Sequence, residues 1–270
     1  MKKVKWAESA GARVVPIRYG SKPVELEAVF NGISGLLLPG GGASLDPRSS
    51  QYYKAAAHLL DLAEHANAHG QRFAVFGTCL GWELLAVWAS GGNASVLEGG
   101  YDDGGRMHSL RLLPRVTPGA SSQTMLANAA LRRALLEADS TFYSHEFGVL
   151  PETVLRNPEL KRAFNVLATA KDARAKEFVA MAQAWDGKPF YGVQFHPEKP
   201  LFEWTTKANI SHADAPTTVG RALAAFFNDE VRKSRPASFA GGEREAFQRD
   251  IHAAKLTYLG DAYFSEVYVF

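Results

Sequence analysis

Phe73-Ala74-Val75-Phe76-Gly77-Thr78-Cys79-Leu80-Gly81-Trp82-Glu83-Leu84-Leu85 holds the sole cysteine of the chain. Residues 73–76 are a short apolar run, as expected of a strand covered on both faces. Gly77 and Gly81 then flank Cys79 two residues on either side, which reads as a tight turn. From Trp82 onward the apolar residues Leu84, Leu85 and Trp88 recur at helical spacing. Strand, sharp turn and helix with a nucleophile at the apex is the mechanical logic of a nucleophile elbow. A thiol at a helix N-terminus feels the partial positive charge there, which favours thiolate. The amide N–H of Leu80 is left to face an oxyanion. A lone cysteine can also be a small packed hydrophobe, but the paired glycines and the strand-to-helix switch favour the reactive reading.

Working outward, residues 33–38 form a second buried strand that runs into Pro39-Gly40-Gly41-Gly42, a loop whose backbone can approach a ligand closely. Before it, residues 6–11 read as the last turns of a helix stopped by Gly11, residues 12–17 as a strand, and 24–30 as a short helix. Residues 51–68 are the clearest helix. Strands alternating with helices argue for an α/β class, a doubly wound, mostly parallel sheet flanked by helices, with ligands outside the carboxyl ends of its strands. Further strands are expected at 96–98, 110–113, 164–169 and 178–184, with a helix at 125–137. These read as an antiparallel extension of one sheet, because no linker-like stretch isolates them. A strand at 190–195 ends in His196-Pro197-Glu198. An amphipathic helix at 217–233, a polar exposed connection at 235–245 and short strands at 256–258 and 266–270 complete a single domain over 1–270.

Composition narrows the class. The chain has 270 residues, 46% hydrophobic and 21% charged, with a formal net charge of +2. That suits a globular domain and gives no reason to expect nucleic acid as partner. The sequence has no apolar run of membrane-spanning length and no apolar core of a signal peptide near Met1. One cysteine cannot form an intramolecular disulfide. Two acceptor sequons begin at Asn93 and Asn209. His58, His65 and His69 show no metal-ligand pattern and are assigned no role.

His196 stands at the end of a strand, and Pro197 biases it toward an extended conformation that projects its imidazole. Glu198 can turn back to accept a hydrogen bond from that ring. Cys79, His196 and Glu198 thus supply nucleophile, base and orienting carboxylate.

Gly77-Thr78-Cys79-Leu80-Gly81 together with His196-Pro197-Glu198 resembles the class I glutamine amidotransferase superfamily, whose sheet is flavodoxin-like. Within it the chain is similar to the γ-glutamyl hydrolase family over nearly its whole length. The similarity also rests on the run from Glu8 to Pro16 (Glu-Ser-Ala-Gly-Ala-Arg-Val-Val-Pro), on Leu38-Pro39-Gly40-Gly41 and on Phe164-Asn165-Val166-Leu167. Tyr191-Gly192-Val193-Gln194, Lys199, Glu203-Trp204, Ile210-Ser211-His212-Ala213 and the aromatic end at Tyr268 and Phe270 extend it. The resemblance implies cysteine-dependent hydrolysis of γ-glutamyl bonds in folate polyglutamates through a thioester on Cys79. Leu80 and Gly40 or Gly41 would form the oxyanion hole, while His145 and Lys199 would meet the substrate. It implies no metal or cofactor, a small-molecule substrate, no nucleic acid or membrane partner, a homodimer, and a vacuolar, lysosomal or extracellular setting for the intact protein. It also implies a central strand, between 12–17 and 33–38, ahead of the helix in which Met1 falls, so that the domain reads as N-terminally incomplete. Two other readings use the same residues: a glutaminase subunit that passes ammonia to a synthetase, and a non-catalytic remnant that binds γ-glutamyl ligands.

Overall fold

The computed structural model describes residues 2–114, 125–185, 187–259 and 266–269; Met1 and Phe270 of the expected terminal elements lie outside them. Among the described residues ten strands are formed: β1 Gly35–Leu38, β2 Ala74–Thr78, β3 Glu98–His108, β4 Leu110–Leu112, β5 Thr141–Gly148, β6 Phe164–Lys171, β7 Glu177–Ala184, β8 Phe190–Val193, β9 Lys255–Tyr258 and β10 Glu266–Val269. Six of them make one sheet in the order β1-β2-β8-β7-β6-β4. β1, β2 and β8 run parallel. β7, β6 and β4 continue the same sheet antiparallel, as the extension expected from sequence. The sheet is therefore mixed, with its parallel half carrying the cysteine.

Period-two alternation explains why two cores form. On β2, Val75 faces one core with Leu60, Leu84 and Phe190, under the helices Gln51–Ala68 and Leu80–Ala89. Ala74 and Phe76 face the other, with Trp6, Tyr191 and Phe227. Trp6, on the helix Lys2–Glu8, is fully covered and donates its indole N–H to the Gly220 carbonyl at 2.9 Å. That bond ties the first helix to the helix Asp214–Arg232. The same long helix packs against the segment that follows β8: a Cβ at Gly220 would lie 2.5 Å from the Pro197 carbonyl.

Several local expectations are corrected. Residues 12–17 form no strand, because a strand exists only as part of a ladder. Among the described residues, the Val14 carbonyl, bonded to the Ile251 N–H, makes the one backbone hydrogen bond of residues 13–17. A cavity of about 870 Å³ separates these residues from the free edge of β1, walled by Val15, Ile17, Leu36, Ala55, Leu59 and Phe227 among others. Neither Cys79 nor His196 lines it. Residues 94–96 make a 3-10 turn, Ala94–Val96, before β3 begins. The expected helix at 125–137 is a 3-10 turn, Met125–Ala127, followed by the helix Ala129–Leu135, which starts where the Asn128 side chain accepts the Leu131 N–H. The stretch 235–245 is not simply exposed. Phe239 is buried in a notch that only a glycine at position 32 leaves open, since a Cβ there would lie 2.2 Å from its ring, and the helix Gly242–Arg249 follows. β9 and β10 pair as a separate antiparallel ribbon. β3 and β5 form a second two-stranded sheet, which the sequence reading did not anticipate.

Candidate active site

Cys79 sits between β2 and the helix Leu80–Ala89 with φ 51° and ψ −113°, a backbone conformation sparsely populated by side-chain-bearing residues. The N–H of Cys79 donates to the Val193 carbonyl at 2.8 Å, which pins the elbow to β8. The flanking glycines are explained by contact. A Cβ at Gly81 would lie 2.1 Å from the Leu38 carbonyl, and one at Gly77 would lie 2.5 Å from the Gly81 carbonyl.

β8 leads directly to His196, whose N–H donates to the Phe142 carbonyl of β5 at 2.8 Å. Its Nδ1 lies 2.9 Å from Glu198 Oε1. The Pro39–Gly42 loop closes over the pair. A Cβ at Gly40 would lie 2.8 Å from His196 Cε1 and 3.0 Å from Cys79 Cβ, so imidazole and nucleophile meet at this glycine. With Nδ1 engaged by Glu198, Nε2 is the nitrogen left for proton transfer. The structure thus brings Cys79, His196 and Glu198 together.

The electrostatics set a neutral resting pair. Burial, with the nearby Glu83 charge, pushes the Cys79 thiol up to about 12, against the smaller downward pull of the Leu80 N–H. The helix N-terminus expected to favour thiolate is therefore outweighed by desolvation. Burial also lowers the His196 imidazole below its ordinary value of 6.5, which its carboxylate partner only partly offsets. Glu198 is itself fully covered, yet the facing imidazole and the Lys3 ammonium, 3.7 Å away, hold it at about 2. A neutral thiol beside a neutral imidazole oriented by an ionised carboxylate is an arrangement for general-base activation, not a preformed ion pair.

Of the expected oxyanion donors, Leu80 opens the helix after the nucleophile and its N–H is close enough to affect the thiol. Gly40 directs its N–H to Thr78 Oγ1 at 3.2 Å. Among the described residues the Gly41 N–H has no partner, which makes it the better placed of the two loop donors.

The two expected substrate contacts stand differently. His145 lies on β5 with its side chain only 1% exposed. Its Nδ1 is 2.7 Å from the Phe147 carbonyl, and its Nε2 is 3.2 Å from Asp103 Oδ2. Nδ1 is thereby hydrogen-bonded, whereas Nε2 and Asp103 Oδ2 lie at ion-pair distance without making a hydrogen bond. Lys199 pairs with Glu203 at 3.4 Å and lies over the Phe142 ring.

Glu83, which the sequence reading passed over, is buried one helical turn from Cys79. Burial pushes it up to about 7, although the Gln194 amide, 2.8 Å away, and His145 act to keep it ionised. A carboxylate inside the apolar run Leu80-Gly81-Trp82-Glu83-Leu84-Leu85 was the available signal. Asp103 gave no such signal, because its partner His145 is remote in sequence. Among the described residues no group of His, Cys, Asp or Glu is arranged to hold a metal, and no helix is long and apolar enough to cross a membrane.

Comparison with known proteins agrees with this geometry. The Peptidase C26 family model matches residues 1–198. The gamma-glutamyl hydrolase of Mus musculus is 36% identical over 233 residues, covering 86% of this chain and 70% of the relative. That of Bos taurus is 33% identical over 270 residues, covering 99% and 81%, and gamma-glutamyl hydrolase 1 of Arabidopsis thaliana is 30% identical over 272 residues, covering 99% and 74%. A solved structure described as a putative GMP synthase component from Thermoplasma acidophilum shares the fold, with a TM-score of 0.50 and 14% identity over 86% of this chain and 91% of that one. The chain belongs to the peptidase C26 family.

Proposed function

From membership of that family, we propose that the chain hydrolyses γ-glutamyl bonds, with folate poly-γ-glutamates as its substrate class. The observation that carries the reading is the meeting of a φ-positive Cys79 with the His196–Glu198 pair across Gly40. The scissile carbonyl carbon is attacked by Cys79 Sγ while the thiol proton moves to His196 Nε2. The N–H groups of Leu80 and Gly41 receive the oxyanion. Collapse breaks the C–N bond, and His196 returns its proton to the leaving amine, freeing glutamate or a shorter polyglutamate. Water then attacks the thioester with His196 again as base, and the γ-carboxylic acid leaves as Cys79 recovers its proton. Glu198 holds the imidazole orientation and stabilises the transient imidazolium.

Similarity to the mouse, bovine and Arabidopsis relatives supports this choice of bond over glutamine hydrolysis. Asn93 and Asn209 are both exposed, which supports a vacuolar, lysosomal or extracellular route. The test is release of glutamate or γ-glutamyl peptides from pteroylpentaglutamate, with free glutamine as the competing substrate. Cleavage of the pentaglutamate, abolished in Cys79→Ala, is expected. Ammonia release from glutamine with no pentaglutamate cleavage would replace the proposal by the glutaminase reading.

A further inference from the structure

β5 touches both halves of the catalytic pair. Its Phe142 carbonyl holds the His196 N–H at 2.8 Å, and its Ser144 carbonyl stands 3.8 Å from Cys79 Sγ. Yet among the described residues β5 pairs with β3 alone, outside the main sheet. The β3–β5 ladder is also irregular on both sides of two paired positions, Asp103 with His145 and Gly104 with Ser144, with register shifts between Gly99 and Asp103 and between Gly104 and Arg106. Phe142 lies in the regular run that pairs Thr141–Tyr143 with Arg106–His108, whereas Ser144 lies in a stretch of two pairs isolated between the shifts, where backbone pairing fixes the register weakly. Asp103 and His145 face each other in that stretch. Asp103 is fully buried, with Oδ2 3.2 Å from His145 Nε2 and Oδ1 bonded to His108 Nε2. The rings of Phe178, Tyr101 and Tyr143 surround His145 at 4.7, 5.4 and 5.8 Å, so little water screens the pair.

We propose that Asp103 is a positioning residue for the hydrolysis: by clipping His145, it sets the register at which the neighbouring Ser144 carbonyl meets the thiol. The proposal rests on the hydrolase reading of the site. It gives His145 a role as the other half of the clip, through an ion-pair contact of its buried Nε2. His108 steadies the carboxylate from the second oxygen. A slip of the clip moves the Ser144 carbonyl that stands against the nucleophile, while the groups that would hold the substrate stay in place.

The experiment compares Asp103→Asn, His145→Gln, the double variant and His108→Gln with the unaltered protein, below every unfolding transition. Two quantities are read: kcat and KM for pteroylpentaglutamate, and the rate of Cys79 alkylation by iodoacetamide. Asp103→Asn should lower kcat about 10- to 100-fold, the range associated with misplacement near 1 Å, and leave KM within about twofold. The double variant should be no slower than the worse single one, because both remove the same clip. The alkylation rate should change in step with kcat. Equal kcat and equal alkylation in a folded Asp103→Asn protein would overturn the proposal, as would additive losses or a change confined to KM. If Asp103→Asn does not fold, the same two readouts on His108→Gln and His145→Gln decide by the same criteria. Should the unaltered protein leave the pentaglutamate intact, the hydrolase reading fails by itself, and alkylation alone still decides the clip.

Discussion

Alanine at position 40 adds one methyl group where the imidazole and the nucleophile meet. Gly40 is not among the glycines with positive φ, so alanine meets no backbone penalty and the effect is one of space. Its Cβ would lie 2.8 Å from His196 Cε1, 3.0 Å from Cys79 Cβ and 3.4 Å from the Thr78 carbonyl. Comfortable carbon–carbon contact is about 3.5–4.0 Å. The ring or the loop must therefore retreat by roughly 0.7–1.2 Å. The elbow cannot yield easily, because the Cys79 N–H is bonded to Val193 and Gly81 is pressed against Leu38. The imidazole is the softer side, and its retreat lengthens the path from Sγ to Nε2. Misplacement on the order of 1 Å lowers a rate about 100-fold. Steady-state hydrolysis of pteroylpentaglutamate should show that loss mainly in kcat, with a folded protein by circular dichroism. A Gly40→Ala enzyme within about threefold of the parent in kcat would refute the placement of His196 against Cys79 at this glycine.

Two further substitutions probe the charges of the site. Glu198→Gln keeps the shape but removes the anion that orients His196, so kcat should fall by about 10³–10⁴, as in other triads that lose this carboxylate. In the fold Glu198 titrates at about 2 against an ordinary 4.5, so its contribution, on the order of 3 kcal/mol, is fully present above pH 4.5. It is lost as pH falls toward 2, and denaturation curves of the variant should lack that acid-side decline; a parallel decline in both proteins would contradict it. Glu83→Gln removes a negative charge that raises the Cys79 thiol. Cys79 should then titrate at lower pH and react faster with iodoacetamide at a given alkaline pH. An unchanged alkylation profile would show that Glu83 does not act on the sulfur.

The elbow was legible because all its signals are local. The apolar run, the paired glycines and the helical spacing after Trp82 lie within thirteen residues, and the contacts that require Gly77 and Gly81 are made inside the same unit or with adjacent β1. His196 and Glu198 were legible for the same reason, through a strand end and a proline. Residues 12–17 look like a strand but find no ladder, because pairing depends on a neighbour that local sequence does not encode. β3 was missed because Glu98-Gly99-Gly100-Tyr101-Asp102-Asp103-Gly104-Gly105 is rich in glycine and acid, and it is held as a strand by β5 far along the chain. Asp103 and His145 become a pair only once that register exists. The thiol was read as helix-activated because a helix N-terminus can be seen in sequence, whereas burial deep enough to outweigh it cannot.

The most direct test is rapid acid quench of turnover on pteroylpentaglutamate, followed by mass measurement of the peptide that contains Cys79. A covalent γ-glutamyl adduct on that peptide, absent in Cys79→Ala together with all turnover, is the predicted result. Sustained cleavage by the Cys79→Ala protein, with no adduct in the parent, would contradict the thioester mechanism at its centre.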